Sequence, residues 1–148
     1  IGLATARSLA HAHDLPLRPV GSLTALAAAI DARVVLPAID ARRGELFAAL
    51  YVEGEQRWEP FVTGIEALVE RVASLPREGL EPPLAAGDGS LRSRKALESA
   101  SIAVAPPEAR CHVVSASIIC RLAARVHAVA PEAVQPQYLR APDATPQR

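Results

Sequence analysis

The chain has no methionine and very few rings. One tryptophan, two tyrosines and two phenylalanines make up 3% of 148 residues, although half of the sequence is apolar. A core organised around aromatic side chains is therefore excluded. The core must come from Ala, Leu and Val, in closely approaching helices and β-branched strands. Cysteine is also scarce. Cys111 and Cys120 supply neither a disulfide framework nor a four-ligand metal site. A reducing, cytoplasmic setting is the default reading. Excess charge of one sign is missing: 16 basic residues balance 16 acidic ones. The basic footprint of a protein that grips nucleic acid by itself is absent, so any RNA contact would come mainly through a partner. No apolar run reaches the roughly 18 residues needed to cross a bilayer, and no membrane role is expected. Residues 1–12 carry Arg7 and His11 without a basic leader, unlike a signal peptide.

The opening Ile1-Gly2-Leu3-Ala4-Thr5-Ala6-Arg7 reads as the interior of a helix with no capping residue before it. The expectation is a sequence that starts inside a longer protein, whose isolated piece would self-associate. Residues 1–13 favour a helix that Pro16 ends. Its wheel puts Arg7, His11 and Asp14 on a polar arc, and Gly2, Leu3, Ala6 and Ala10 on a small surface. Ile1 and Leu9 lie on another side. Such a helix is covered on two sides.

Further along, residues 17–20 read as a short strand. Ser22 reads as the N-cap of a helix with Leu23, Leu26, Ala27 and Ile30 on one face. Residues 34–39 and 45–52 form a hairpin around Asp40-Ala41-Arg42-Arg43-Gly44, and residues 57–62 a third strand. Thr63 and Glu66 have the spacing of a capping box before a helix to residue 75. After a Pro- and Gly-bearing link at 76–83 come a strand at 84–86, a helix at 91–100 and a strand at 102–105. Ser115, Ile118, Ile119, Leu122, Ala123 and Val126 repeat at helical spacing. Two prolines hold the tail around Tyr138 extended. The fold class is mixed α/β.

Candidate sites carry two readings each. The Asp40–Glu45 turn is a solvated loop, or a fixed loop with Asp40–Arg42 or Arg43–Glu45 pairing. Gly87-Asp88-Gly89 is a tight turn, or a set of amides that cradles phosphate. Against the latter, Asp88 repels an anion and no P-loop lysine follows. Arg92, Arg94 and Lys95 form a solvated face or an RNA contact. Cys111, Cys120 and His112 suggest a thiol nucleophile, against which Cys120 reads as a small buried hydrophobe. His11 and His13, two apart, point to different sides of a helix and offer no metal pair. No cofactor and no metal are expected.

Three segments together resemble the TsaB (YeaZ-like) family: the opening seven residues, Asp40 to Phe47 with Tyr51, and Tyr138-Leu139-Arg140-Ala141-Pro142-Asp143-Ala144. Gly87-Asp88-Gly89 adds a weaker match. The resemblance implies a two-lobed actin, Hsp70 and sugar-kinase-like (ASKHA) fold with its first lobe incomplete. Residues 1–32, joined by a helix at 113–130, would be the remainder of that lobe; 33–110 the second lobe; 131–148 an extended tail. Asp40, Arg42, Arg43 and Glu45 would then sit at the interlobe cleft.

The implied function is that of a non-catalytic dimerization and activating subunit. Its complex transfers a threonylcarbamoyl group to N6 of the tRNA adenosine next to the anticodon. The implied partner is a TsaD-like catalytic subunit, which carries the His-x-x-x-His metal motif this chain lacks. A TsaE-like ATPase could join a larger complex, tRNA would be met only through the complex, and a homodimer is a further option. Docking would use Gly2, Leu3, Ala6, Arg7, Ala10, Leu23, Leu26 and Ala27. The alternatives are a glycoprotease-like peptidase and a sugar-kinase-like phosphotransferase of the same superfamily.

Overall fold

The computed structural model describes residues 1–76 and 79–140. The elements are α1 (Gly2–Ala12), α2 (Ser22–Ala27), β1 (Val34–Arg42), β2 (Glu45–Val52), β3 (Glu55–Gly64), α3 (Ile65–Ala73), β4 (Leu84–Ala86), α4 (Asp88–Arg92), α5 (Arg94–Ser99), β5 (Ala103–Val104) and α6 (Ala116–Ala123). Single 3-10 turns occupy Arg110–His112 and Pro131–Ala133. The strands form one sheet in the order β3-β2-β1-β4-β5. β1, β2 and β3 pair antiparallel, while β4 and β5 join parallel to β1.

Both hairpins close on two-residue loops. Arg42 pairs with Glu45 around Arg43-Gly44, and Val52 pairs with Glu55 around Glu53-Gly54. All four loop residues have positive φ: 55° and 81° in the first loop, 53° and 83° in the second. That is the turn whose twist matches antiparallel strands, and it requires the left-handed region at both positions. Glycine meets this requirement freely at the second position of each loop. The Glu53-Gly54 turn starts β3 two residues earlier than the sequence reading placed it.

β1 is buried on both faces, which explains its unbroken apolar run. Val34 and Leu36 enter a core shared with Leu46, Leu50, Leu68, Val72, Leu97 and Ile102. Val35 faces the other way, against Leu23, Ala27, Ala49 and Tyr51. Pro37 sits inside this central strand and is fully buried. It has no N–H to give, and the ladder to β2 skips from Val35–Tyr51 to Ala38–Ala48. The few rings cover the outer strand: Trp58 and Phe61 meet edge to face at 6.0 Å, with the Arg71 guanidinium 4.4 and 4.1 Å from their centres. The Tyr51 hydroxyl ties β2 to α2 and β3, 2.8 Å from Thr24 Oγ1 and 3.1 Å from Gln56 Oε1. Burial pushes its pKa up.

Several local expectations are corrected. Residues 17–20 make only an isolated bridge, Leu17 with Val129. Gly21, not Ser22, caps α2. Thr63 stays in the strand, paired with Leu46, so Gly64 caps α3 and the Thr63–Glu66 box does not form. The helix expected at 91–100 begins at Asp88 and breaks at Ser93. The helix expected at 113–130 is shorter, Ala116–Ala123, and leaves Val126 beyond its end; its apolar face is half-buried, and none of its residues is fully buried. α6 packs against the short α2. Cys120 lies off that face and is exposed, whereas Cys111 is buried. Residues 141–148, including the end of the tail motif, lie outside the described residues, as do residues 77 and 78 of the Pro- and Gly-bearing link.

At the turn from β4 into α4 the backbone lies close against β1. Gly87 has φ +97°, and a β-carbon there would sit 2.1 Å from the Ala38 carbonyl oxygen. Gly87→Ala should lower the unfolding free energy by about 2–4 kcal/mol through strain plus displacement of β1. Chemical denaturation of the two chains measures this, and a change within about 0.5 kcal/mol would contradict the packing described.

Candidate functional site

The positive-φ turn after β1 brings Asp40 beside α4. Asp40 Oδ1 accepts from the Arg42 amide at 2.8 Å, and Oδ2 from Arg92 at 2.7 Å. The Arg42 guanidinium stands 3.6 Å away. The Asp40 side chain is only 12% exposed. The Arg42 amide first, and the Arg92 guanidinium second, hold its carboxyl below the usual range. Its own amide donates to Asp88 Oδ1 at 3.1 Å, which also accepts from Gly89 N at 2.9 Å. Glu45 pairs with Arg140 of the tail at 2.7 Å, and Arg140 reaches the Ala41 carbonyl at 3.4 Å. The sequence reading had Asp40–Arg42 in view. Arg92 and Arg140, 52 and 95 residues from their partners, only folding could supply.

Gly87, Asp88 and Gly89 act together on β1 rather than facing open space. A β-carbon at Gly89 would lie 2.7 Å from the Ile39 carbonyl carbon and 2.9 Å from Asp40 N. The Asp88 carboxylate is already engaged with two amides. This geometry is what a close helix–strand contact requires, and it favours the tight-turn reading over the phosphate cradle.

His112, which the sequence set beside Cys111 and Cys120 only as a thiol-nucleophile candidate, belongs to this node. It is 7% exposed. Nδ1 lies 3.0 Å from the Gly87 carbonyl, and Nε2 3.0 Å from that of Pro106 and 3.3 Å from that of Ala105. Ser90, fully buried, donates to the same Gly87 carbonyl at 2.7 Å. Arg94 donates to the carbonyls of Val104 and Ala105 and pairs with Glu98. It is thus part of the structure rather than of a free basic face. Next to His112, burial pushes the Cys111 thiol pKa up, the opposite of what a nucleophile needs. Among the described residues, no group of three or more His, Cys, Asp or Glu could hold a metal ion.

The small-residue surface divides. On α1, Gly2 and Ala6 are exposed, Leu3 and Arg7 half-buried, and Ala10 buried. Ile1, Leu9 and Leu15 are large apolar side chains left exposed. On α2, by contrast, Leu23, Leu26 and Ala27 are buried. Leu23 and Ala27 face Val35, Ala49 and Tyr51, so they serve this chain's own core and are not open to a partner. The short α2 is enclosed by the sheet, α6 and the 3-10 turn at Arg110–His112. His11 stands 3.3 Å from Glu132, so α1 rests on the Pro131–Ala133 turn.

Three antiparallel strands followed by two parallel ones, with helices on both faces, define a lobe of the ASKHA class. The family model described as TsaD, tRNA N6-adenosine threonylcarbamoyltransferase, matches residues 1–131, and the chain belongs to that family. It is a TsaB/YeaZ-like member. YeaZ from Pseudomonas aeruginosa is 26% identical, with a TM-score of 0.70 over 93% of this chain. A crystal structure of an uncharacterized protein with similarity to the peptidase YeaZ, from the same organism, is 27% identical with a TM-score of 0.67 over 94%. The chain spans 66% of the length of each. No curated protein matches it in sequence. Among the described residues, no helix is long and apolar enough to cross a membrane.

The depressed Asp40 pKa sets a pH dependence. Its stabilising contribution is present above the ordinary carboxylate pKa of about 3.9 and is lost as pH falls through the lower folded value. Melting between pH 7 and pH 2 should show wild type losing more stability than Asp40→Asn below about pH 4. Parallel curves would remove Asp40 from this role.

Proposed function

We propose that the chain is the non-catalytic dimerization and activating subunit of a complex that transfers a threonylcarbamoyl group to N6 of the tRNA adenosine next to the anticodon. It docks a TsaD-like catalytic subunit through α1. The observation that carries this reading is the unpaired surface of α1. Exposed Gly2 and Ala6 let a second helix approach closely, and exposed Leu9 supplies apolar area. Family membership supports the pathway. The balanced net charge supports a chain that meets tRNA only through the complex. A TsaE-like ATPase would join the larger assembly, which works in the cytoplasm. The docking set is narrower than the sequence implied. Leu23, Leu26 and Ala27 act from beneath by holding α2 to the sheet, while Gly2, Leu3, Ala6 and Arg7 face the partner.

Ala6→Glu places a charge on the exposed face of α1 without entering the core. It should weaken capture of the TsaD-like subunit by at least about tenfold, while thermal melting stays within a few degrees of wild type. Ala10 is buried, so its substitution would report on folding. Undiminished capture by the folded Ala6→Glu chain would sink the docking reading.

A further inference from the structure

His112 stands between hydrogen-bond acceptors. Its Nδ1 lies 3.0 Å from the Gly87 carbonyl oxygen, and its Nε2 3.0 Å from that of Pro106 and 3.3 Å from that of Ala105. A carbonyl oxygen has no proton to donate. A neutral imidazole carries one N–H, so in either tautomer one ring nitrogen would turn its lone pair on a carbonyl lone pair. The ring is 7% exposed, and a buried acceptor that faces another acceptor is costly. With a proton on both nitrogens the ring has a donor for each side, and the mismatch disappears.

The surroundings of the ring tolerate a positive charge. Arg94 approaches from α5, because it also donates to the Ala105 carbonyl, but Glu98 pairs with that guanidinium at 2.7 Å. Asp88, next to Gly87, gives its carboxylate to the amides of Asp40 and Gly89. On the turn itself Cys111 is buried, while Arg110 and the preceding Glu108 are exposed. α2 packs on the turn as well and has no ionisable residue.

We propose that His112 is an imidazolium in the folded chain and acts as a proton-dependent clasp. It joins the 3-10 turn at Arg110–His112 to the β4–α4 turn and to the segment after β5. Loss of the proton leaves one nitrogen without a bond and loosens this junction. The unfolded ring releases its proton above about pH 6.5. The folded chain keeps it, so the clasp's stability is fully present below that pH and is lost as pH rises. While the proton is held only in the fold, the unfolding constant increases up to about tenfold per pH unit. The clasp does not depend on the docking reading.

Long-range 1H–15N spectra of the wild type at pH 7 read the ring directly. Two slowly exchanging N–H signals from one buried imidazole are expected, and a single one would overturn the proposal. Chemical denaturation between pH 5.5 and pH 8.5 compares the wild type with His112→Asn. The wild type should lose stability relative to the variant above about pH 6.5. Parallel curves would overturn the clasp. So would the opposite course, a loss relative to the variant below about pH 6.5, which marks a ring that is neutral when folded. If the variant does not fold, the spectra decide by themselves.

Discussion

Gly87 carries no β-carbon, and the place where one would sit is taken by the carbonyl oxygen of Ala38, 2.1 Å away. Much of the molecule is arranged around that contact. It lets the start of α4 lie directly on β1, so that the Asp88 carboxylate reaches the amide of Asp40. It turns the Gly87 carbonyl toward α4 and the 3-10 turn at Arg110–His112, where it accepts from Ser90 and meets His112 Nδ1. His112 in turn gathers the carbonyls of Ala105 and Pro106. Three segments far apart in sequence are thereby fixed to one peptide unit. Among the described residues, no buried side-chain nitrogen or oxygen lacks a hydrogen-bond partner.

From this node the hairpin turn inherits its shape. Asp40 can bridge Arg42 and Arg92 only because α4 approaches β1 so closely. Glu45, on the far side of the Arg43-Gly44 turn, is then placed to receive Arg140. The turn that the sequence offered as either solvated or interlobe is a junction between the sheet, α4 and the tail. The exposed half of α1 lies outside this network. It is joined to the Pro131–Ala133 turn through His11 and Glu132.

Strand and helix identities in the middle of the chain were legible because they rest on short-range signals. The apolar run at Val34, the alternation after Glu45 and the Gly-bearing turns all report local backbone preference and burial. The face of α6 was legible for the same reason: Ile118, Ile119 and Leu122 turn inward as their spacing predicts. How deeply they are covered was not, because cover depends on what packs against that face. Thr63 misled because a capping motif was read without knowing that β2 would hold Thr63 in the ladder. Cys120 misled because its neighbours on the helix set the face, and it stands one position off that face.

The sequence by itself determined the class of the fold, the family, the strand at β1 and the candidate turns. Periodicity, glycine placement and local motifs are carried by residues within a few positions of one another. Only the tertiary structure decided which candidates act together. It assigned Leu23, Leu26 and Ala27 to the core while leaving Gly2 and Ala6 outside, gave Asp40 and Glu45 their arginines, and made His112 a structural hub. Those outcomes depend on distances across the sheet and between segments up to 95 residues apart. Each is settled by which groups must lose water together, a property of the packed chain and not of any window along it.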